Sequence, residues 1–158
     1  MKKLITLLLI VTLTLIPCTN TYAATKKTKK SSTIKVSKSD MRLLCAITYA
    51  EAGIEPYRGK IGVMNVIINR RNKSKSKSFK KVIYARGQFS PTWNGALNRE
   101  LRAYDRGRFK KDKSRIQTVK AVKAALAGKN TVGKRTHFNE YSGVWHKNGK
   151  RIGTHIFW

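Results

Sequence analysis

Tyr49-Ala50-Glu51-Ala52-Gly53-Ile54-Glu55-Pro56-Tyr57 is the stretch on which the reading of this chain turns. Upstream of it, Leu43, Leu44 and Ile47 fall on one helical face, which predicts a helix from Asp40 through Glu51 that stops at Gly53. Downstream, Pro56 suits a first helical position, and Tyr57, Ile61, Met64 and Ile68 follow at i, i+4, i+7 and i+11. Val63, Val66 and Ile67 thicken that stripe, so the second helix is expected at the centre of the fold. At 100° per residue, Glu51 stands about 20° from Leu44, on the apolar face of its helix. A carboxylate placed there loses hydration, its pKa rises, and it can hold a proton near neutral pH as a general acid must. The other reading ends the helix before Glu51 and leaves it solvated, or paired with Arg70 or Arg71. Glu55 also has two readings. It can favour the positive end of the helix opening at Pro56, or it can act as a second carboxylate or substrate-positioning group of a glycosidase.

Working outward, Lys73 to Lys77 alternates Lys and Ser as an exposed loop, and Phe79, Val82 and Ile83 predict a short helix. Gly87 to Gly95 is a loop, followed by helices over Ala96–Tyr104 and Ser114–Leu126, the latter stopped by Gly128. Short strands are expected at Thr136–Phe138, Val144–Lys147 and Lys150–Ile152, the last two joined by an Asn148-Gly149 hairpin turn. The fold class is α+β, mostly helical: a single domain with a small C-terminal β-hairpin element.

The chain has 158 residues, with 35 Lys and Arg against 7 Asp and Glu, a formal charge of +28. Such an excess requires a polyanionic setting: nucleic acid, anionic lipid or an anionic cell wall. The N-terminus chooses among them. Lys2 and Lys3 precede an apolar run from Leu4 to Ile16, Pro17 ends it, and Thr21-Tyr22-Ala23-Ala24 offers a cleavage site. Residues 1–23 therefore read as a secretory signal peptide, too short to span a bilayer, and the mature form has no integral membrane span. Secretion turns the expectation away from nucleic acid and towards anionic wall polymers, met by the Lys/Arg surface. Residues 24–39, with six Lys and no acid before Asp40, read as a flexible tether. Residues 40–158 form the domain, expected to be a monomer. Cys45, the one thiol left after cleavage, lies among Leu43, Leu44, Ala46 and Ile47 and reads as a small buried hydrophobe. His137, His146 and His155 are evenly spaced but match no metal-ligand pattern, so neither metal nor cofactor is expected.

The Tyr49–Gly53 segment, continued by Glu55-Pro56-Tyr57, Gly59-Lys60-Ile61-Gly62-Val63 and Val66-Ile67-Ile68-Asn69-Arg70, resembles the opening motif of the SleB/CwlJ cell wall hydrolases. Val82-Ile83-Tyr84 with Gly87-Gln88-Phe89-Ser90, Ala124 to Gly128, His137-Phe138-Asn139 and Ile152 to Trp158 resemble later blocks of that family, in the same order. Ile54 departs from a Gly frequent there, Trp158 from a Tyr, and the stretch Arg99 to Arg115 is more highly charged. The resemblance implies a lysozyme-like or lytic-transglycosylase-like fold, with peptidoglycan as substrate and Glu51 as catalytic acid/base. It further implies cleavage between N-acetylmuramic acid and N-acetylglucosamine, of lytic transglycosylase or muramidase type, by a secreted, wall-associated enzyme, with spore cortex as one candidate substrate and the spore envelope as one location. Under that reading Tyr57, Gln88, Phe89, Ser90, Asn139 and His155 are candidate substrate-binding residues. The alternative is a non-catalytic basic protein that binds wall polyanions.

Overall fold

The computed structural model describes residues 33–158. The signal peptide and the tether up to residue 32 lie outside the described residues. Five helices come first: α1 (Lys38–Ala52), α2 (Tyr57–Lys73), α3 (Phe79–Ile83), α4 (Ala96–Asp105) and α5 (Lys113–Leu126). Three strands follow: β1 (Phe138–Glu140), β2 (Lys150–Ile152) and β3 (His155–Phe157). Local chemistry sets the helix starts. Ser37 Oγ accepts from Asp40 N to cap α1, Ser78 caps α3, and Asp112 accepts from Arg115 N to cap α5.

The predicted central helix is central. Every residue of α2 from Gly59 to Ile68 is buried, with α1, α3 and α5 packed around it. Leu44, Cys45, Ala46 and Ile47 of α1 are fully enclosed, so Cys45 is the small core residue expected, and burial pushes its thiol up to about 12. The strands form an antiparallel sheet in the order β1-β3-β2. β3 pairs on both sides, Phe138 with Phe157 and Ile152 with His155, and is buried along its whole length.

Three sequence expectations are corrected. The domain starts earlier than residue 40: α1 opens at Lys38, Ile34 N donates to Leu126 O at 2.9 Å, and Ile34 and Val36 pack against the core. The last residues assigned to the tether thus carry the apolar side chains that close the base of α5. Val144–Lys147 is not a strand, and the hairpin does not turn at Asn148-Gly149. It turns at Gly153-Thr154, between β2 and β3, where Gly153 adopts φ +63°. The strand expected at Thr136–Phe138 is shifted to Phe138–Glu140, in register with β3.

The sheet sits directly on α2 at a glycine. A Cβ on Gly62 would lie 2.8 Å from Phe157 Cζ and 3.1 Å from Val132 Cγ1. Gly62→Ala is therefore expected to overpack this contact and cost about 1–3 kcal/mol, read as a lowered denaturant midpoint.

Candidate active site

The helix of α1 runs through Glu51 and ends at Gly53. Its last carbonyls would be left without partners, and a side chain from the next helix supplies them. Lys60 Nζ, on a fully buried residue, donates to Ala52 O at 2.7 Å, to Gly53 O at 2.6 Å and to Ser114 Oγ at 3.3 Å. Ser114 Oγ donates in turn to Gly53 O at 2.6 Å, so α1, α2 and α5 meet at one peptide. Behind this corner Arg115 stacks 4.2 Å from the Tyr49 ring centroid and pairs with buried Glu100, Nε to Oε2 at 3.0 Å and Nη2 to Oε1 at 3.2 Å. The last two turns of α1 are held from both sides.

Glu51 is half-buried, and its carboxyl makes no hydrogen bond or ion pair among the described residues. Burial raises its pKa from 4.5 to about 7, and the charge of Arg70 offsets only part of that rise. The reading of Glu51 as a solvated or salt-bridged surface group therefore does not describe its environment. Arg70 is fixed elsewhere: Nε donates to Thr136 O at 2.6 Å, Nη1 reaches Gln88 O at 3.4 Å, and the guanidinium lies 4.9 Å from the Phe89 ring centroid.

From Arg70 an aromatic floor continues. Phe89 packs 6.3 Å from Phe138, and Phe138 stands edge-on to His155 at 5.2 Å. His155 is buried with Nδ1 unpartnered, and burial lowers its pKa against the opposing charges of Glu55 and Glu140. Glu55, 4% exposed, closes the floor. Its carboxylate accepts from Thr154 N at 3.2 and 3.3 Å and from Thr154 Oγ1. A Cβ on Gly153 would lie 2.0 Å from Glu55 Oε2, and one on Gly59 3.0 Å from it. The two glutamates thus occupy opposite environments, one desolvated and unpartnered, the other fully bonded into the β2–β3 turn.

The other sequence candidates divide. Phe89, Gln88 and His155 border this floor. Ser90 is exposed beside it without a side-chain partner, whereas Asn139, paired with Ile156, alternates to the sheet face opposite Phe138 and His155. Tyr57 lies apart, in a cavity against α5. His137 and His146 are not poised as ligands: their rings stack on Trp158, at 5.8 and 3.6 Å between centroids. Sequence reasoning missed Lys60, Thr154 and the Glu100–Arg115 pair. Only Lys60 left a signal, as a charge at the edge of the apolar stripe of α2.

A family model for cell wall hydrolases matches residues 54–158. The chain belongs to the cell wall hydrolase family. It is similar to the catalytic domain of the germination-specific lytic transglycosylase SleB from Bacillus anthracis, at 25% identity and a TM-score of 0.58. That match covers 77% of this chain and 95% of the other. The catalytic domain of the Bacillus cereus SleB protein matches in fold at 24% identity and a TM-score of 0.59, over 78% of this chain and 91% of the other. No curated protein matches the chain. The lysozyme-like fold expected from the sequence is the one these neighbours share, and this cell wall hydrolase is a peptidoglycan-degrading enzyme.

Two stability outcomes follow from the site. Because the folded pKa of Glu51 lies above its ordinary value, native stability is fully present below 4.5 and falls as pH rises through about 7. Glu51→Gln removes that penalty. Its melting temperature should match wild type at pH 4 and exceed it at pH 8, by the equivalent of about 3 kcal/mol at most. Lys60→Met removes one of the two donors at each of Ala52 O and Gly53 O and should lower stability by about 1–3 kcal/mol in urea titrations at pH 7.

Proposed function

We propose that this hydrolase cuts the glycan strand of peptidoglycan between N-acetylmuramic acid and N-acetylglucosamine, with Glu51 as the single acid/base. One observation carries the reading: Glu51 has a free carboxyl with a pKa of about 7, while the carboxylate of Glu55 is consumed by Thr154. A protonated Glu51 donates to the glycosidic oxygen as the bond breaks. Hydrolysis in two-carboxylate enzymes needs a second group to activate water or attack the sugar. Glu55 is not free to do either. The route that needs one carboxyl is intramolecular: Glu51, now ionised, takes the proton of the muramyl C6 hydroxyl, which closes on C1 to give a 1,6-anhydro product. No water enters and no covalent enzyme intermediate forms. Glu55 is then a structural carboxylate that seats the β2–β3 turn and, through it, His155.

Phe89, Gln88, Ser90 and His155 border the strip between Glu51 and Glu55 and supply a ring face and hydrogen-bonding groups for the sugars, while Asn139, on the other face of the sheet, is left out of that role. Arg70 stabilises the ionised form of Glu51 after donation without pairing to it. The enzyme works outside the cell, delivered by the signal peptide and kept at the wall by the tether and the basic surface. SleB-like architecture makes spore cortex one substrate to compare with vegetative wall.

Purified sacculi and spore cortex digested with wild type and Glu51→Gln separate the possibilities, with products identified by mass spectrometry. Wild type should release fragments ending in anhydromuramic acid, and Glu51→Gln should be slower by about 100-fold or more while still sedimenting with the wall. Reducing ends in place of anhydro ends would overturn the transglycosylase route. Wall binding without fragment release by either protein would overturn the catalytic reading. The wild-type rate should also decline above pH 7, as Glu51 loses the proton it must donate.

A further inference from the structure

A cavity opens beside the corner where Ser114 Oγ meets Gly53 O. It has a volume of about 660 Å³, between the start of α2 and the first half of α5, and is lined by Tyr57, Lys111, Lys113, Ser114, Ile116, Gln117 and Lys120. Lys113, Gln117 and Lys120 stand at i, i+4 and i+7 on one face of α5, which spreads the two ammonium groups along about 10 Å of helix. Lys111, Lys113 and Lys120 are exposed, and none makes a side-chain hydrogen bond or ion pair. A fourth cation, Lys129, lies 5.3 Å from the ring centroid of Tyr57.

The acid nearest in sequence pairs with none of these lysines. Asp112 stands between Lys111 and Lys113, but Oδ1 accepts from Arg115 N at 2.9 Å and Oδ2 faces Arg115 Nη1 at 3.4 Å.

We infer that this cavity is an anion subsite that holds phosphodiester groups of an anionic wall polymer, distinct from the strip that holds the glycan to be cut. Three features select that ligand class. The lining cations are lysines alone: each ammonium is a compact point charge that meets phosphate oxygens from many directions, without the fixed fork that arginine brings to carboxylate and phosphate alike. The cations are spaced along the helix rather than converging, which suits successive charges of a polymer and not one compact anion. The charge also lies on exposed stems over an apolar base of Tyr57 and Ile116, so a chain can lie along the cavity without burying its charges. Polymer bound here holds the enzyme beside its substrate while Glu51 works. The inference rests on the cell wall as the place of action but not on the chemistry of Glu51.

The test uses the mature protein and soluble poly(glycerol phosphate), with polyglutamate of matched charge as the carboxylate probe. The double variant Lys113→Gln/Lys120→Gln is compared with Lys75→Gln/Lys80→Gln, which removes the same charge from an exposed loop and from α3. The cavity pair should weaken poly(glycerol phosphate) binding about tenfold and flatten its salt dependence, while the control pair changes it about twofold or less. Wild type should prefer the phosphate polymer to polyglutamate. Equal losses in both double variants would reduce the effect to diffuse charge and overturn the site. Equal or tighter binding of polyglutamate would overturn the phosphate assignment. Digestion of sacculi stripped of phosphate polymers keeps this result separate from the proposed reaction. The cavity pair should digest them at the wild-type rate, whereas Glu51→Gln should bind poly(glycerol phosphate) normally and digest them more slowly by about 100-fold or more.

Discussion

A buried ammonium group holds the end of the helix on which the chemistry is placed. The last peptides of α1 present carbonyls with no helical partner and the negative end of the helix dipole. Lys60 meets both needs at once, because its donors reach Ala52 O, Gly53 O and Ser114 Oγ. Its desolvation lowers its pKa, yet the charge is balanced by oriented carbonyls rather than by a bonded carboxylate. That matters for the site. A carboxylate brought in to neutralise Lys60 would also have set the potential at Glu51. With dipoles doing this work, the turn from Gly53 to Pro56 is fixed and Glu51 remains without a partner.

The same turn gives two acids four residues apart opposite fates. Glu51 is carried by the last helical turn into a place with low hydration and no donor, and its pKa rises. Glu55 lies past the break, where its carboxylate meets Thr154 at a turn whose preceding residue must be glycine. One acid is kept desolvated and unpartnered and the other is used as mortar. The distinction depends on the β2–β3 hairpin, which reaches back across 99 residues of sequence to occupy Glu55.

This contrast also shows what could be read from sequence. Periodicity located α1 and α2 and placed Glu51 on the apolar face, because helical geometry is local and its consequence for a carboxylate is simple. The state of Glu55 could not be read that way, since its partner is set by tertiary packing. The hairpin was misplaced for a related reason. Asn148-Gly149 does form a tight turn, Gly149 N donating to His146 O at 2.7 Å, but turn chemistry alone does not create strands. Residues before it are drawn to Trp158 through His146, and pairing falls to Lys150–Ile152 and His155–Phe157. Tyr57 sits in the motif that resembles the family opening, yet its ring faces a cavity of α5 that no local pattern foretold.

Four of the seven acids of the chain, Glu55, Glu100, Asp105 and Asp112, have bonded partners. Asp40 stands in the first turn of α1, Asp105 accepts two bonds from Arg42, Glu100 and Asp112 engage Arg115, Glu55 holds Thr154, and Glu140 lies opposite His155. Every ion pair among the described residues uses arginine, and none uses lysine. This division has a physical basis: the arginine fork rewards fixed geometry inside the fold, while the lysine ammonium stays well hydrated outside it. The lysines are consequently left without counter-charges in the protein, and their mutual repulsion is relieved only by anions from elsewhere. An enzyme built this way is soluble at its own expense in stability and gains from contact with a polyanion. Its charge is thus less a property of the catalytic strip than a demand placed on its surroundings, which an anionic wall can meet.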